Sequence, residues 1–400
     1  MASEQSERLG PAISFKKGTS LIRLMSRKIV IAAYIVLGLS SSSFGQNMTL
    51  SEWATPTTGS QPLHVVAADS NTFYFTESGR NRLALLNTSN GANAITEWPL
   101  PAGSMPHGIA YASASNTFYF CAFSGNYVGW FNPATSGLSE WQVPSASAGV
   151  IHLDLASSGT IFFTEANGNK VGSLNPVTGQ FTEWLMPTAN ALPRGVVVGQ
   201  GTQVFVAELN VQKIAMLDTS TNQISEWSVP NVTQVEHLRF ANNLIYFGDL
   251  GSSIVGTLDP VGNVITEWKA PTGSAFVPDV AVSGTSFYFT EKRGDKVGLL
   301  NPSLQHSMMY SVTPVTTLEN PTQATALARK FTLKGTTTTV APTITNVSGV
   351  VHGGFTEWAV PEAGAAPLGI TETGTTVAFA EFYGSKIATL SPVHPRATAK

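Results

Sequence analysis

The sequence predicts an all-β fold: a β-propeller of eight four-stranded antiparallel blades, with seven blades as the alternative count. Three observations carry this. The dipeptide Glu-Trp, usually after Thr or Ser and closely followed by Pro, recurs with its indole at Trp53, Trp98, Trp141, Trp184, Trp227, Trp268 and Trp358. The first five gaps are 45, 43, 43, 43 and 41 residues, and the last, 90, is about two periods. Each period holds several short β-rich runs parted by turn residues, which is the signature of a blade of about 40–45 residues.

The unit from Trp141 to Trp184 displays the elements in order. Val150 to Ala156 is the first strand, and Ser157-Ser158-Gly159 turns the chain. Thr160 to Glu165 is the second strand. Asn167-Gly168-Asn169 turns it again, because Asn and Gly accept positive φ. Lys170 to Leu174 is the third strand. Asn175-Pro176-Val177-Thr178-Gly179 is a turn, and Gln180 to Trp184 is the fourth strand. A lone sheet of this kind is marginal. Stacking blades around an axis buries both faces, and each fourth-strand Trp is large enough to fill the widening gap at the rim.

Second strands ending at Glu77, Ala122, Glu165, Glu208, Asp249, Glu291 and Glu381 give seven clear units. The stretch 310–357, with β-branched runs at 324–333 and 336–344, has the length of a degenerate eighth. The last unit stops near Pro392 after three strands. Its missing fourth strand lies at the other end, at Leu50-Ser51-Glu52-Trp53, so the N-terminal strand closes the ring and removes exposed sheet edges.

Charged residues make up only 12%, and Gly and Pro number 36 and 23, a composition suited to many tight turns. A net charge of −3 gives no reason to expect nucleic acid or an anionic membrane as a partner. Arg23, Arg27 and Lys28 precede an apolar run, 29–39, and then small residues ending at Gly45. This is a secretory signal, with Met25 as an alternative start, and the run is too short to span a bilayer. The expected organisation is an extension and signal peptide over 1–45 and one propeller domain over 46–400. The expected location is secreted or periplasmic, as a monomer without stable membrane insertion. Cys121, the single cysteine, sits in an apolar run and reads as a small core residue.

The first strand of a blade lines the channel, and the second returns to the face where the first began. Four of the seven histidines, His64, His107, His152 and His237, fall at the start of strand one. Arg194 and Asp279 occupy the same repeat position, and Glu236 precedes His237. The candidates are therefore His107, His152 and His237 as catalytic groups, and Arg194, Glu236 and Asp279 as substrate-binding groups. Glu165, Glu208 and Asp249, at the ends of second strands, are candidate metal ligands. Histidine and carboxylate together serve acid–base work or a divalent metal. Glu at the end of strand two equally suits a structural role, accepting hydrogen bonds from a neighbouring blade. A small molecule or peptide is the expected ligand at this mouth.

The runs Ile95-Thr96-Glu97-Trp98-Pro99-Leu100-Pro101, Pro106-His107-Gly108-Ile109-Ala110 and Phe163-Thr164-Glu165-Ala166-Asn167-Gly168-Asn169-Lys170-Val171-Gly172 resemble the virginiamycin B lyase family over roughly residues 48–392. The resemblance implies a propeller that opens cyclic depsipeptides by elimination across an ester bond, with Mg²⁺ and without hydrolysis. It also implies a site of Glu-Pro-His-Gly, a Glu ending the next strand, and a His from the preceding blade. The nearest match is His107, His152 and Glu165, with Val150 where the first Glu belongs. Blade two has Met105 and Ala122 at the two Glu positions, and blade five has Glu236, His237 and Asp249. On this reading His152 is the general base, and Glu165 and Glu208 hold Mg²⁺ at a substrate carbonyl. The alternative class is a non-catalytic binding or scaffold propeller for a peptide, glycan or protein partner. A lactonase-type hydrolase would need convergent carboxylates and Asn, and this mouth is richer in His.

Overall fold

The structure, a computed structural model, describes residues 47–89 and 94–393. The signal segment and His394 lie outside the described residues. Seven sheets of five strands each surround one axis, so the predicted eight blades of four strands become seven blades of five. The innermost strands of blades one to seven are Pro62–Ala67, Pro106–Ala112, Val150–Leu155, Pro193–Val198, Val235–Ala241, Val280–Ser283 and Pro367–Thr373. In each blade the next three strands follow antiparallel toward the rim. Blade seven takes its fourth strand from Asn47–Ala54, which pairs with Lys386–Pro392, Trp53 opposite Ile387. This is the closure that the missing C-terminal strand predicted.

The stretch expected to form an eighth blade is instead a belt. Blade six leaves its third strand, Lys296–Leu300, and returns at Phe355–Ala359 to complete the blade. Asn301 N donates to Gly354 O at 2.8 Å, as in a plain hairpin. Between these points the chain makes a full circuit of the disc. Its short strands begin at Met308, Val315, Thr322, Arg329, Thr336, Thr343 and Val350, seven residues apart. They add a fifth strand to blades five, four, three, two, one, seven and six in turn. Thr322, for example, lies at the rim opposite Glu183.

The physical reason is length. In the first five belt strands four residues pair with one outer strand and three carry the chain onward, and in the last two six and three residues pair, which leaves nothing to build a four-stranded unit. Val312, Ala326, Leu333 and Val340, just after belt strands, and Val347, within one, pack partly buried against the cores. Short strands interrupted by Pro314, Pro321 and Pro342 leave poor templates for edge-to-edge pairing.

The cores lie between blades. Trp227 of blade four packs with Ile245 and Phe247 of blade five, and Trp141 of blade two with Phe163 of blade three. All seven repeat tryptophans are 2–6% exposed, which fits the packing role. Trp184 Nε1 donates to Asn222 in the next blade at 2.9 Å, and Trp227 Nε1 to Asn263 at 2.8 Å. Within blade three, Gly172 stands opposite Phe163, and a Cβ there would strike the phenyl ring. Cys121 is fully buried.

Candidate functional site

The residues that reach the axis are set there by a backbone irregularity. In six blades the pairing of strands one and two shifts register near the start of strand one. In blade three Val150 pairs with Glu165, but Leu153 pairs with Phe163. The extra residue is a β-bulge at Ile151-His152, and a bulge re-aims its side chain. A buried threonine fixes the backbone on either side. Thr164 Oγ1 accepts from His152 N at 3.3 Å and donates to Arg194 O of the next blade at 2.6 Å. Thr76 does the same between His64 and His107. Gly108 lies against the His152 backbone with no room for a Cβ, so adjacent inner strands approach closely here.

Four imidazoles converge as a result. The His152 ring lies 4.5 Å from His64, 5.1 Å from His107 and 4.6 Å from His237, centroid to centroid. His107, His152 and His237, the predicted catalytic set, are therefore brought together. His64 stood at the same repeat position and joins them. Burial lowers every pKa in the group; neighbouring imidazoles add to it for His64, His107 and His152, and the Arg239 charge for His237, with His64 falling to about 3. The rings are neutral at pH 7, and His107 Nδ1 and His152 Nε2 have no hydrogen-bond partner among the described residues.

The predicted substrate-binding residues share this site. Arg194 pairs with Glu236 at 2.5 Å. The Asp279 carboxylate meets His237 Nδ1 at 2.5 Å and Arg239 at 3.2 Å, and accepts the Ile370 N–H at 3.1 Å. Burial alone would raise Asp279, but Arg239 and His237 outweigh it and hold the carboxyl well below its ordinary value. Arg239 was not singled out from sequence. Its position two residues beyond His237 on an inner strand was the available signal.

The predicted metal ligands do not assemble. Glu165 and Glu208 are completely buried inside their own blades. Each faces the glutamate of its blade's Glu-Trp pair, Glu183 or Glu226, and burial followed by that like charge raises Glu165 to about 8 and Glu208 to about 9. The outer glutamate is in turn held by a lysine, Lys170 on Glu183 and Lys213 on Glu226, both at 2.7 Å. Blades six and seven repeat the arrangement with Glu291 and Glu381. Asp249 accepts the Thr233 and Gln234 N–H groups and Ser252 Oγ, capping a loop. The reason is orientation: strand two ends at the right face, but its last side chain points into the blade, not at the axis. Mg²⁺ takes oxygen ligands. The axis offers imidazole nitrogens, and its carboxylates Glu236 and Asp279 are engaged by arginines, so these residues do not fit Mg²⁺.

The histidine cluster separates two cavities. One of about 600 Å³ opens at the far ends of the inner strands and is lined by His64, His152, His237, Tyr111, Asp154 and Arg239. The other, about 130 Å³, lies at the predicted mouth and is lined by His64, His107, Arg194, Glu236, Asp279 and Lys292. The cavity of about 600 Å³ is thus on the face opposite the one the topology singled out, while a further cavity of about 540 Å³, sharing Leu250 and Lys292 with the small one, lies on the predicted face. Neutral bases, Arg239 and a cavity of about 600 Å³ suit an uncharged or carbonyl-rich ligand.

The virginiamycin B lyase family model matches residues 41–282. Among solved structures, virginiamycin B lyase from Staphylococcus aureus superposes with a TM-score of 0.67 at 19% identity, covering 86% of this chain and 99% of that one. A catalytically inactive histidine-to-alanine variant of that enzyme with quinupristin gives 0.67 at 20%, over 86% and 99%. A streptogramin B lyase gives 0.69 at 19%, over 88% and 99%. At these identities the superpositions speak for the fold. No curated protein matches the chain.

Proposed function

The chain belongs to the virginiamycin B lyase family, and from that premise we propose that it is an exported propeller that opens a cyclic depsipeptide, or a related ester, by elimination across a C–O bond. The observation that supports this reading is the quartet of neutral imidazoles on the axis beside two arginines.

In the proposed reaction His152 removes a proton α to a carbonyl, through its buried Nε2, which has no hydrogen-bond partner among the described residues. The ester oxygen leaves the adjacent carbon with the bonding electrons, as a carboxylate. A double bond forms, and no water is consumed. A base that is neutral at the working pH is what such a step requires. Arg239, which lines the same cavity as His152, supplies positive charge toward the carbonyl and the leaving carboxylate.

A binding propeller is the second reading. It is favoured by the depth of the groups: His152 is 1% exposed, and His237 is covered by Asp279 and Arg239.

Incubation with a type B streptogramin, followed by mass spectrometry and chromatography, tests the proposal. A linear product of unchanged mass is expected, whereas hydrolysis would add one water. Binding without any product would leave the second reading.

A further inference from the structure

We infer that His64, His152 and His237 form a three-histidine site for a borderline transition-metal ion of the Zn²⁺ class on the propeller axis. Alternate blades, one, three and five, each supply one ring. One ligand nitrogen from each lies within 4.8 Å of the other two.

A tetrahedral ion sits about 2.0–2.1 Å from imidazole nitrogen, so its ligand nitrogens are about 3.3–3.4 Å apart. The three rings need to close by about 1.5 Å at most, a distance small side-chain rotations cover.

Independent observations point the same way. His152 is 1% exposed, and its Nε2 is buried with no hydrogen-bond partner among the described residues, a costly condition that a metal ion relieves. His237 carries a carboxylate, Asp279, on Nδ1 at 2.5 Å. Histidines that bind metal characteristically rest their other nitrogen on such a group, which fixes the tautomer.

Charge does not forbid a cation. Arg194 is paired with Glu236 and Arg239 with Asp279. Arg239 also contacts the His237 ring, Nδ1 at 2.5 Å and Nε2 at 3.3 Å, so metal entry moves its guanidinium off the ring and fully onto Asp279 and the Ile370 carbonyl, which it already meets at 3.2 and 3.3 Å. All three histidines line the 600 Å³ cavity, and the fourth position is open to a water or a ligand donor from that side. Imidazole suits Zn²⁺, Co²⁺ and Ni²⁺, while Mg²⁺ and Ca²⁺ need oxygen. The ion and the lyase step both claim His152 Nε2, so a loaded site excludes His152 as the base, and the two proposals are told apart because this test reads metal and not turnover.

The test uses tag-free mature protein, stripped with a chelator and titrated with Co²⁺, Zn²⁺ and Mg²⁺. Co²⁺ should bind one equivalent with the visible absorption of a tetrahedral nitrogen site, and Zn²⁺ should displace it. Mg²⁺ in excess should leave the spectrum unchanged. His64→Asn and His152→Asn should each weaken Co²⁺ at least 100-fold, with Glu165→Gln unaffected. If either histidine variant fails to fold, the wild-type Co²⁺ spectrum decides alone. Absence of a stoichiometric tetrahedral signal, displacement by Mg²⁺, or unchanged uptake in folded histidine variants would each overturn the inference.

Discussion

Replacing Glu165 by glutamine should flatten the pH dependence of stability without harming the fold. Glu165 is completely buried and, by burial and the adjacent Glu183, is raised from an ordinary 4.5 to about 8. Below pH 4.5 the folded and unfolded chains both hold this proton. Between 4.5 and 8 the unfolded chain releases it and the folded chain keeps it, so stability falls as pH rises through this window. One such proton is worth about 1.4 kcal/mol per pH unit, hence at most about 2.7 kcal/mol between pH 5.5 and 7.5. Relaxation around the ionised group reduces this, and about 1–2.5 kcal/mol is expected. Glutamine is a neutral amide of the same shape as the protonated acid, so Glu165→Gln should lose this slope and keep its place beside Glu183. Denaturant midpoints of both proteins at the two pH values, with m unchanged, measure the difference. Equal pH dependence in wild type and variant would refute the proton-holding role. At the acid end the sign reverses. Despite burial, hydrogen bonds from Lys170 and Ser145 lower Glu183, so that contribution is lost as pH falls below about 4.5.

Replacing 302–353 with a two-residue turn should leave a folded seven-bladed ring, because Asn301 and Gly354 already meet as a hairpin. Five partly buried belt side chains at roughly 0.5–1 kcal/mol each set the expected loss at about 2–5 kcal/mol, read from the unfolding midpoint. A chain with no cooperative transition would mean that the belt is needed for closure. Trp53→Ala, in a strand held by 386–392 on one edge and by Thr343–Ser348 on the other, should cost about 3–5 kcal/mol, and a loss under 1 kcal/mol would contradict that strand's closing role. Mass spectrometry of exported protein should place the new N-terminus near Gln46, and a mature chain beginning at Met1 or Met25 would exclude a cleaved signal.

The blades were legible because each outer strand carries the same Glu-Trp mark and its turns are written in Asn, Gly and Pro. The belt was not recognised because its Thr-rich runs resemble any β-branched stretch. Its own period was nonetheless in the chain, in Pro314, Pro321, Gly335, Pro342 and Gly349, all on one seven-residue spacing. The histidines were legible because topology alone brings equivalent starts of strand one to the axis. The glutamates misled because topology fixes where a strand ends and not which way its last side chain points. At His152 a bulge turns the side chain to the channel. At Glu165 the regular pairing with Lys170 leaves the carboxyl inside the blade against Glu183.

The central claim is that the axial histidines, and not the blade-end glutamates, are the working groups. Turnover of a cyclic depsipeptide ester by wild type, His152→Ala and Glu165→Gln, measured side by side at pH 6.5 on folded protein, tests it most directly. A loss of about 10²-fold or more is expected for His152→Ala, with activity within about twofold of wild type for Glu165→Gln. Full activity in the histidine variant together with loss in the glutamine variant would contradict it.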